Sequence, residues 1–170
     1  MTVSWPLLTR IDAEWPPERP AGALHRDWRW VDWVREERSA ERFVLVDEAD
    51  APQLIWCCAS RRLLRLPGGP FYRPDRLEVA PMSARSGVGT VGMAVIATRA
   101  RELGANGVVL KATLDAAPFY AKVGGVAGEV AGWSHSPDLV EFTFARPALD
   151  ALAEMLDEYR QEEDAPRSDG

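Results

Sequence analysis

Soft metal ligands are scarce in this chain: two cysteines and two histidines in 170 residues. The cysteines are neighbours, Cys57-Cys58, inside the apolar run QLIWCCAS. Adjacent strand residues point to opposite faces, so a bridge between them would be strained. They read as reduced, buried, small apolar side chains of a cytosolic protein. With no His or acid at ligand spacing they make no zinc site. Also lacking is any apolar run near the ~20 residues that span a bilayer. The amino terminus, MTVSWPLLTRIDAEW, carries acids and a proline where a secretory signal has a basic start and an apolar stretch. A surplus of basic charge is missing too: 20 Lys and Arg against 26 Asp and Glu give a net charge of −6. That balance argues against sequence-independent nucleic-acid binding and against anionic membrane surfaces. No internal repeat is found.

What remains is an ordinary globular composition, 46% apolar and 27% charged, enough for one domain with a proper core. We place that domain over residues 1–163, with 164–170 as a solvated tail. Residues 1–21 read as an irregular, proline-rich arm with one short strand near Trp5–Leu8. ALHRDWRWVDWVREERSAE has helical periodicity over about 23–38. RFVLVDE and APQLIWCCASRRLL read as strands joined by a turn at Glu48–Ala51. RLPGGPFYRPD, full of breakers, reads as a loop. Strand DRLEVA and a helix from Gly87 to Leu103 follow, the helix closed by Gly104 and Asn106-Gly107. Strand VVLKA leads into a short helix, DAAPFYAKV, with Asp115 as its N-cap. AGEVAGW and LVEFTFA are two further strands, and Pro147 opens a last helix. Strands and helices alternate only in the middle, so the class is α/β with a mixed sheet and one parallel section.

Between DRLEVA and its helix stands Gly87-Val88-Gly89-Thr90-Val91-Gly92, a G-x-G-x-x-G run. Glycines at a helix N-terminus let an anion approach unpaired N–H groups and the positive end of the dipole. A dinucleotide site would need the first glycine directly after the strand and an acid about 20 residues on. Here Ala80 to Ser86 intervene, and VVLKA ends in Lys111 and Ala112. The dinucleotide reading fails.

A strand ending L-x-V-x-P, a loop and then R-x-G-x-G resembles the acetyl-CoA motif of the GNAT acyltransferases; the residues are Leu77, Val79, Pro81, Arg85, Gly87 and Gly89. After the next strand, ATLDAAPFYAKVGG is similar to that family's second landmark, through Ala116, Phe119, Tyr120, Lys122 and Gly124. Three positions depart from the pattern. Ala84 stands where the family has Gln or Arg, Thr113 where it has Asn, and Gly125 where it has Phe.

The resemblance implies the GNAT fold, a central, mostly antiparallel sheet of six or seven strands flanked by helices. It also implies acetyl transfer from acetyl-CoA to a primary amine, with no metal. Cofactor contacts would come from the main chain of Leu77, Glu78 and Val79, where the central strands splay after residues 77–79. N–H groups of Arg85, Ser86, Gly87, Val88, Gly89 and Thr90 would hold the diphosphate, and Thr113 would donate in place of Asn. Tyr120 would be the general acid, since a phenol stays protonated at pH 7; packing of a short helix is the alternative for Phe119-Tyr120. Glu78 alternates away from Leu77 and Val79 and is the candidate base, or a bare surface carboxylate. The acceptor would lie between Trp28, Trp30 and Trp33 on one side and the loop containing His135 on the other. Expected partners are a small-molecule or peptide amine, with no nucleic acid and no membrane, in the cytoplasm; the resemblance also allows a homodimer. A non-catalytic acyl-CoA-binding module is the rival reading.

Overall fold

The computed structural model describes residues 7–10, 41–46, 52–58, 62–79 and 87–164. The helix expected over 23–38, with Trp28, Trp30 and Trp33, lies outside them, as do the turn at 48–51, Ala84, Arg85 and Ser86. Nine short strands and three helices are described: β1 Leu7–Arg10, β2 Glu41–Val46, β3 Pro52–Cys58, β4 Leu63–Leu66, β5 Gly69–Tyr72, β6 Arg76–Val79, α1 Val88–Glu102, β7 Gly107–Ala112, α2 Ala117–Lys122, β8 Val126–Ala127, β9 Val140–Ala145 and α3 Arg146–Asp164. The strands form two sheets, ordered β1-β2-β3-β6 and β4-β5-β7-β9-β8. Every pairing is antiparallel except β5 with β7, which is the one parallel section the sequence called for.

β5 and β6 are one run of chain, broken at Arg73-Pro74-Asp75, where Pro74 lacks a donor and Arg73 Nε pairs with Asp75 Oδ1 at 3.1 Å. Ahead of the break the run pairs with β7, at Phe71↔Gly107 and Tyr72↔Val108. Beyond it the run pairs with β3, from Arg76↔Cys57 to Val79↔Leu54. The two central strands therefore part before residues 77–79, not after them as the resemblance suggested. β6 lies wholly on the opened side.

Other expectations need correction. RLPGGPFYRPD is not a loop: β4 and β5 form a hairpin with register Leu63↔Tyr72 to Leu66↔Gly69. Its breakers make the tight turn, and Asn106 Nδ2 donates to Gly68 O at 2.7 Å to hold it. APQLIWCCASRRLL is accordingly two strands, ending at Cys58 and resuming at Leu63. Of AGEVAGW only Ala127 pairs, joined by Val126 before the run, and Val130 N–H turns to the Glu141 side chain instead of the ladder. β1 sits two residues later than expected. Asp115 does not cap α2: the cap position is Ala116, without a side-chain bond, and Thr113 O takes the N–H groups of Ala116 and Ala117.

α1 is buried on nearly every side, from Val88 through Ala100. Gly92 lets it lie on β3, since a Cβ there would collide with Leu54 Cδ1. Its small residues Ala94, Ala97 and Ala100 lie in one core with Leu149, Leu152 and Leu156 of α3. The helix closes as the sequence indicated, with Gly104 at φ 71°; Gly104 N–H bonds Arg101 O and Ala105 N–H bonds Ala100 O, a Schellman arrangement. Near this end Glu41, 2% exposed, accepts from Arg99 Nη2 at 2.5 Å and Tyr72 OH at 3.1 Å. That bond to Glu41 raises the Arg99 pKa above its ordinary value.

Gly125 departs from the family's Phe, and the structure supplies the missing packing. Phe144 Cζ would lie 2.7 Å, and Phe142 Cδ1 3.0 Å, from a Cβ placed there. Two aromatic rings of β9 fill the space. Gly125→Ala should therefore destabilise the chain by about 1–3 kcal/mol through overpacking, measured by urea unfolding; an unchanged midpoint would show that β9 does not occupy this position.

Candidate active site

Beside β6 lies a cavity of about 680 Å³. Leu77 and Val79 of β6 line one wall. Gly87, Gly89 and Thr90 at the start of α1 form another, and Asp115 to Lys122 around α2 complete it. The mouth of α1 is laid bare by sequence. Gly87 occupies the cap position at φ 88°, ψ −6°, and no side chain caps the helix. The first intrahelical bond runs from Val91 N–H to Gly87 O at 3.1 Å, which leaves the preceding N–H groups without helical partners. No acid stands in the first turn. Gly89 has a second reason to be glycine, since its Cβ would sit 3.0 Å from Phe119 Cζ. The three glycines of G-x-G-x-x-G thus do three jobs: a left-handed cap, contact with α2, and contact with β3.

Tyr120 stands where two cavities meet. It lines the larger one and also a smaller one of about 320 Å³, together with Asp75, Lys111 and Thr113. Leu77 and Ala116 border both. The Tyr120 ring is 7% exposed and packs against Phe119 at 5.1 Å, Phe142 at 5.7 Å and Phe144 at 6.5 Å. Burial among these rings pushes its pKa up from 10.0 to about 12. The phenol is a proton donor throughout the neutral range, and one that gives its proton only to a strong base formed beside it.

The sequence-derived residues are therefore brought together unequally. Leu77, Val79, Gly87, Gly89, Thr90 and Tyr120 share one cavity. Val88 points its side chain into the core, where only its main chain can serve the mouth. Thr113 borders the smaller cavity, away from the helix mouth. Glu78 lies on β6 between Leu77 and Val79, half-buried, and lines neither cavity. His135 is exposed, 3.5 Å from Glu141 Oε1, on a third cavity. Sequence reasoning missed Lys122 and Asp115 as wall residues. For Lys122 the signal was present, as the Lys of the second motif.

By sequence, no family model and no curated protein matches the chain. By structure, it is similar to a Klebsiella pneumoniae subsp. pneumoniae protein assigned as an acyl-CoA N-acyltransferase, at 13% identity over 85% of this chain and 99% of that one, TM-score 0.61. It is similar to AtaTR bound with AcCoA at 12% identity, over 86% and 96%, TM-score 0.58. The histone acetyltransferase HPA2 and related acetyltransferase from Corynebacterium glutamicum superposes with TM-score 0.53 at 15% identity, over 83% and 96%. The chain has the GNAT fold.

On this GNAT fold the parting strands, the bare helix mouth and the aromatic-packed phenol all belong to segments 69–79, 87–102 and 107–122. Those are the segments that carried the two sequence motifs. Among the described residues no helix is long and apolar enough to cross a membrane.

Tyr120 gives a direct physical test. Its folded pKa lies above the ordinary value, so the folded state holds the proton more tightly than the unfolded one. The contribution is complete below pH 10 and is lost as pH rises through about 12. Ultraviolet phenolate titration should show a late-ionising component that Tyr120→Phe removes, and the variant's stability should fall less steeply over that alkaline range. A normal tyrosine titration for that group would refute its burial.

Proposed function

We propose that the chain is an acyl-CoA-dependent N-acyltransferase, transferring acetyl from acetyl-CoA to a primary amine by direct attack in a ternary complex. One observation carries this reading: an uncapped helix mouth and a buried phenol line the same cavity. Acyl-CoA is an elongated ligand with a diphosphate in its middle and a thioester at its end, so it needs an anion site and a proton donor along one cleft. The cavity fits both requirements, and AtaTR bound with AcCoA supports acetyl as the group moved.

When bound, acetyl-CoA supplies an activated thioester and a thiolate leaving group. N–H groups from Gly87 to Thr90, continued by Arg85 and Ser86, hold the diphosphate, and Lys122 adds positive charge to the same wall. The main chain of Leu77 and Val79 orients the pantetheine arm and the thioester oxygen, because β6 has no strand partner on its opened side among the described residues. The acceptor nitrogen forms its bond to the carbonyl carbon as the C–S bond breaks. Tyr120 gives its proton to the departing sulfur, becoming a phenolate that regains a proton from solvent. Glu78 lines neither cavity, so the acceptor nitrogen's proton reaches it only through water. The acceptor reaches the thioester through the smaller cavity beside Asp75, Lys111 and Thr113.

The test has two stages. Acetyl-CoA at about 100 times its Kd should stabilise the chain by about 2.7 kcal/mol, read as a rise in Tm. Free CoA should then appear when an amine panel is added. Tyr120→Phe should lower kcat by about 10²–10⁴ while preserving the rise in Tm. A chain that melts unchanged with acyl-CoA refutes the reading. A rise in Tm without acylation of any amine assigns the chain to the rival class, a non-catalytic acyl-CoA-binding module.

A further inference from the structure

Residues 129–139 join β8 to β9, and most of them are exposed; Val130, Trp133, Ser136 and Leu139 are half-buried. The segment runs from the β8 edge of the second sheet as far as the β4–β5 turn. Gly132, at φ 79°, lies against that turn, where a Cβ would sit 3.0 Å from Pro67 Cδ. Lys111 of β7 stands opposite Glu141 of β9, and these two side chains hold the segment. The Glu141 carboxylate accepts the Val130 N–H at 2.7 Å and pairs with His135 Nδ1 at 3.5 Å. Lys111 holds the middle. Its Nζ donates to Ser134 O and to Ser136 Oγ, the latter at 3.0 Å, and lies 4.6 Å from the Trp133 ring centroid. Among the described residues no other group outside the segment bonds to residues 129–138.

We propose that Lys111 is a positioning residue: its ammonium latches this segment to the second sheet and so fixes one wall of the smaller cavity beside Tyr120. The inference rests on the acyl-transfer reading and adds to it a residue that acts through the segment, not on the reacting atoms. Lys111 and Leu139, on which the segment ends, both line that cavity. Leu139 N–H bonds Ser136 O at 3.1 Å, and Ser136 is gripped by Lys111 through its hydroxyl. Latch and wall are therefore joined through a single residue. The residue type agrees. Of the chain's 20 basic residues only Lys111 and Lys122 are lysines, so the ordinary choice of cation here would be arginine. An ammonium is a compact charge with three donors, and three partners surround this one: a carbonyl, a hydroxyl and an aromatic face. A planar guanidinium is shaped for paired acceptors instead. Without the ammonium, Glu141 alone would tether the segment, at Val130 and His135. An exposed segment with so few ties opens at low free-energy cost, and the wall at Leu139 would open with it.

The experiment measures amide hydrogen exchange of the full chain by NMR in two variants. Lys111→Met keeps the apolar stem and removes the charge; Ser136→Ala removes one partner of the latch from outside both cavities. The Trp133 and Leu139 amides, bonded to Val130 O and Ser136 O, should exchange about tenfold faster in Lys111→Met and about threefold faster in Ser136→Ala, with α1 unchanged. In the transfer assay both variants should raise the acceptor KM by more than they lower kcat, and the rise in Tm with acetyl-CoA should persist. Unchanged exchange at Trp133 and Leu139 would overturn the latch. A loosened segment with an unaltered acceptor KM, or a loss confined to kcat, would overturn its role in positioning. If the unsubstituted chain acylates no amine, the acyl-transfer reading falls instead, and exchange still decides the latch. Ser136→Ala keeps both arms decisive should Lys111→Met fail to fold.

Discussion

Two neighbouring strands that stop pairing midway are the constraint on which the rest of this protein depends. Within a sheet, main-chain donors and acceptors are consumed by the ladder. Once the run of β5 and β6 leaves β7 beyond Tyr72↔Val108, the facing edges of β6 and β7 have no strand partner among the described residues. The break is local in origin: Pro74 removes a donor, and the chain changes partner across three residues, from β7 to β3. Its effect is global, because β3 and β9 each retain one of the parted strands and keep the opening from closing.

The helix that faces the opening is held from behind. α1 lies in one core with Leu54 of β3 and with Leu149, Leu152 and Leu156 of α3, so its direction is set by apolar packing rather than by a cap. That arrangement frees its first turn from the usual need for a Ser, Thr or Asp, and leaves N–H groups without helical partners beside the cavity. The aromatic cluster of Phe119, Phe142 and Phe144 does the corresponding work for Tyr120. It removes water from the phenol and fixes the ring, at the cost of making the proton harder to release. Gly125 belongs to the same arrangement, since a side chain there would evict the β9 rings.

Much of this was legible in the residues. The order of elements from residue 87 onward, the single parallel section, the glycine-marked helix start and the Gly104 stop followed from periodicity and spacing, and the two motifs came from the resemblance to a known family. The errors cluster where a local signal met a tertiary demand. Pro67, Gly68 and Pro70 read as a loop because breakers usually end strands, yet Asn106, distant in sequence, ties them into a hairpin. AGEVAGW alternated like a strand, yet the Glu141 carboxylate claimed the Val130 N–H. Asp115 preceded a helix, yet the carbonyl of Thr113 took the N–H groups that it was expected to cap.

By itself the sequence determined most of the helix and strand segments and where the helix mouth would be, because these depend on short-range spacing and backbone freedom, and the family resemblance it carries pointed to the phenol near that mouth. Only the tertiary structure decided where the sheet opens, that Thr113 falls on a different cavity from the helix mouth, that Lys122 joins the wall, and that the Glu141 carboxylate takes the Val130 N–H. Those outcomes depend on which distant strands compete for the same edge, and a linear pattern carries no record of that competition.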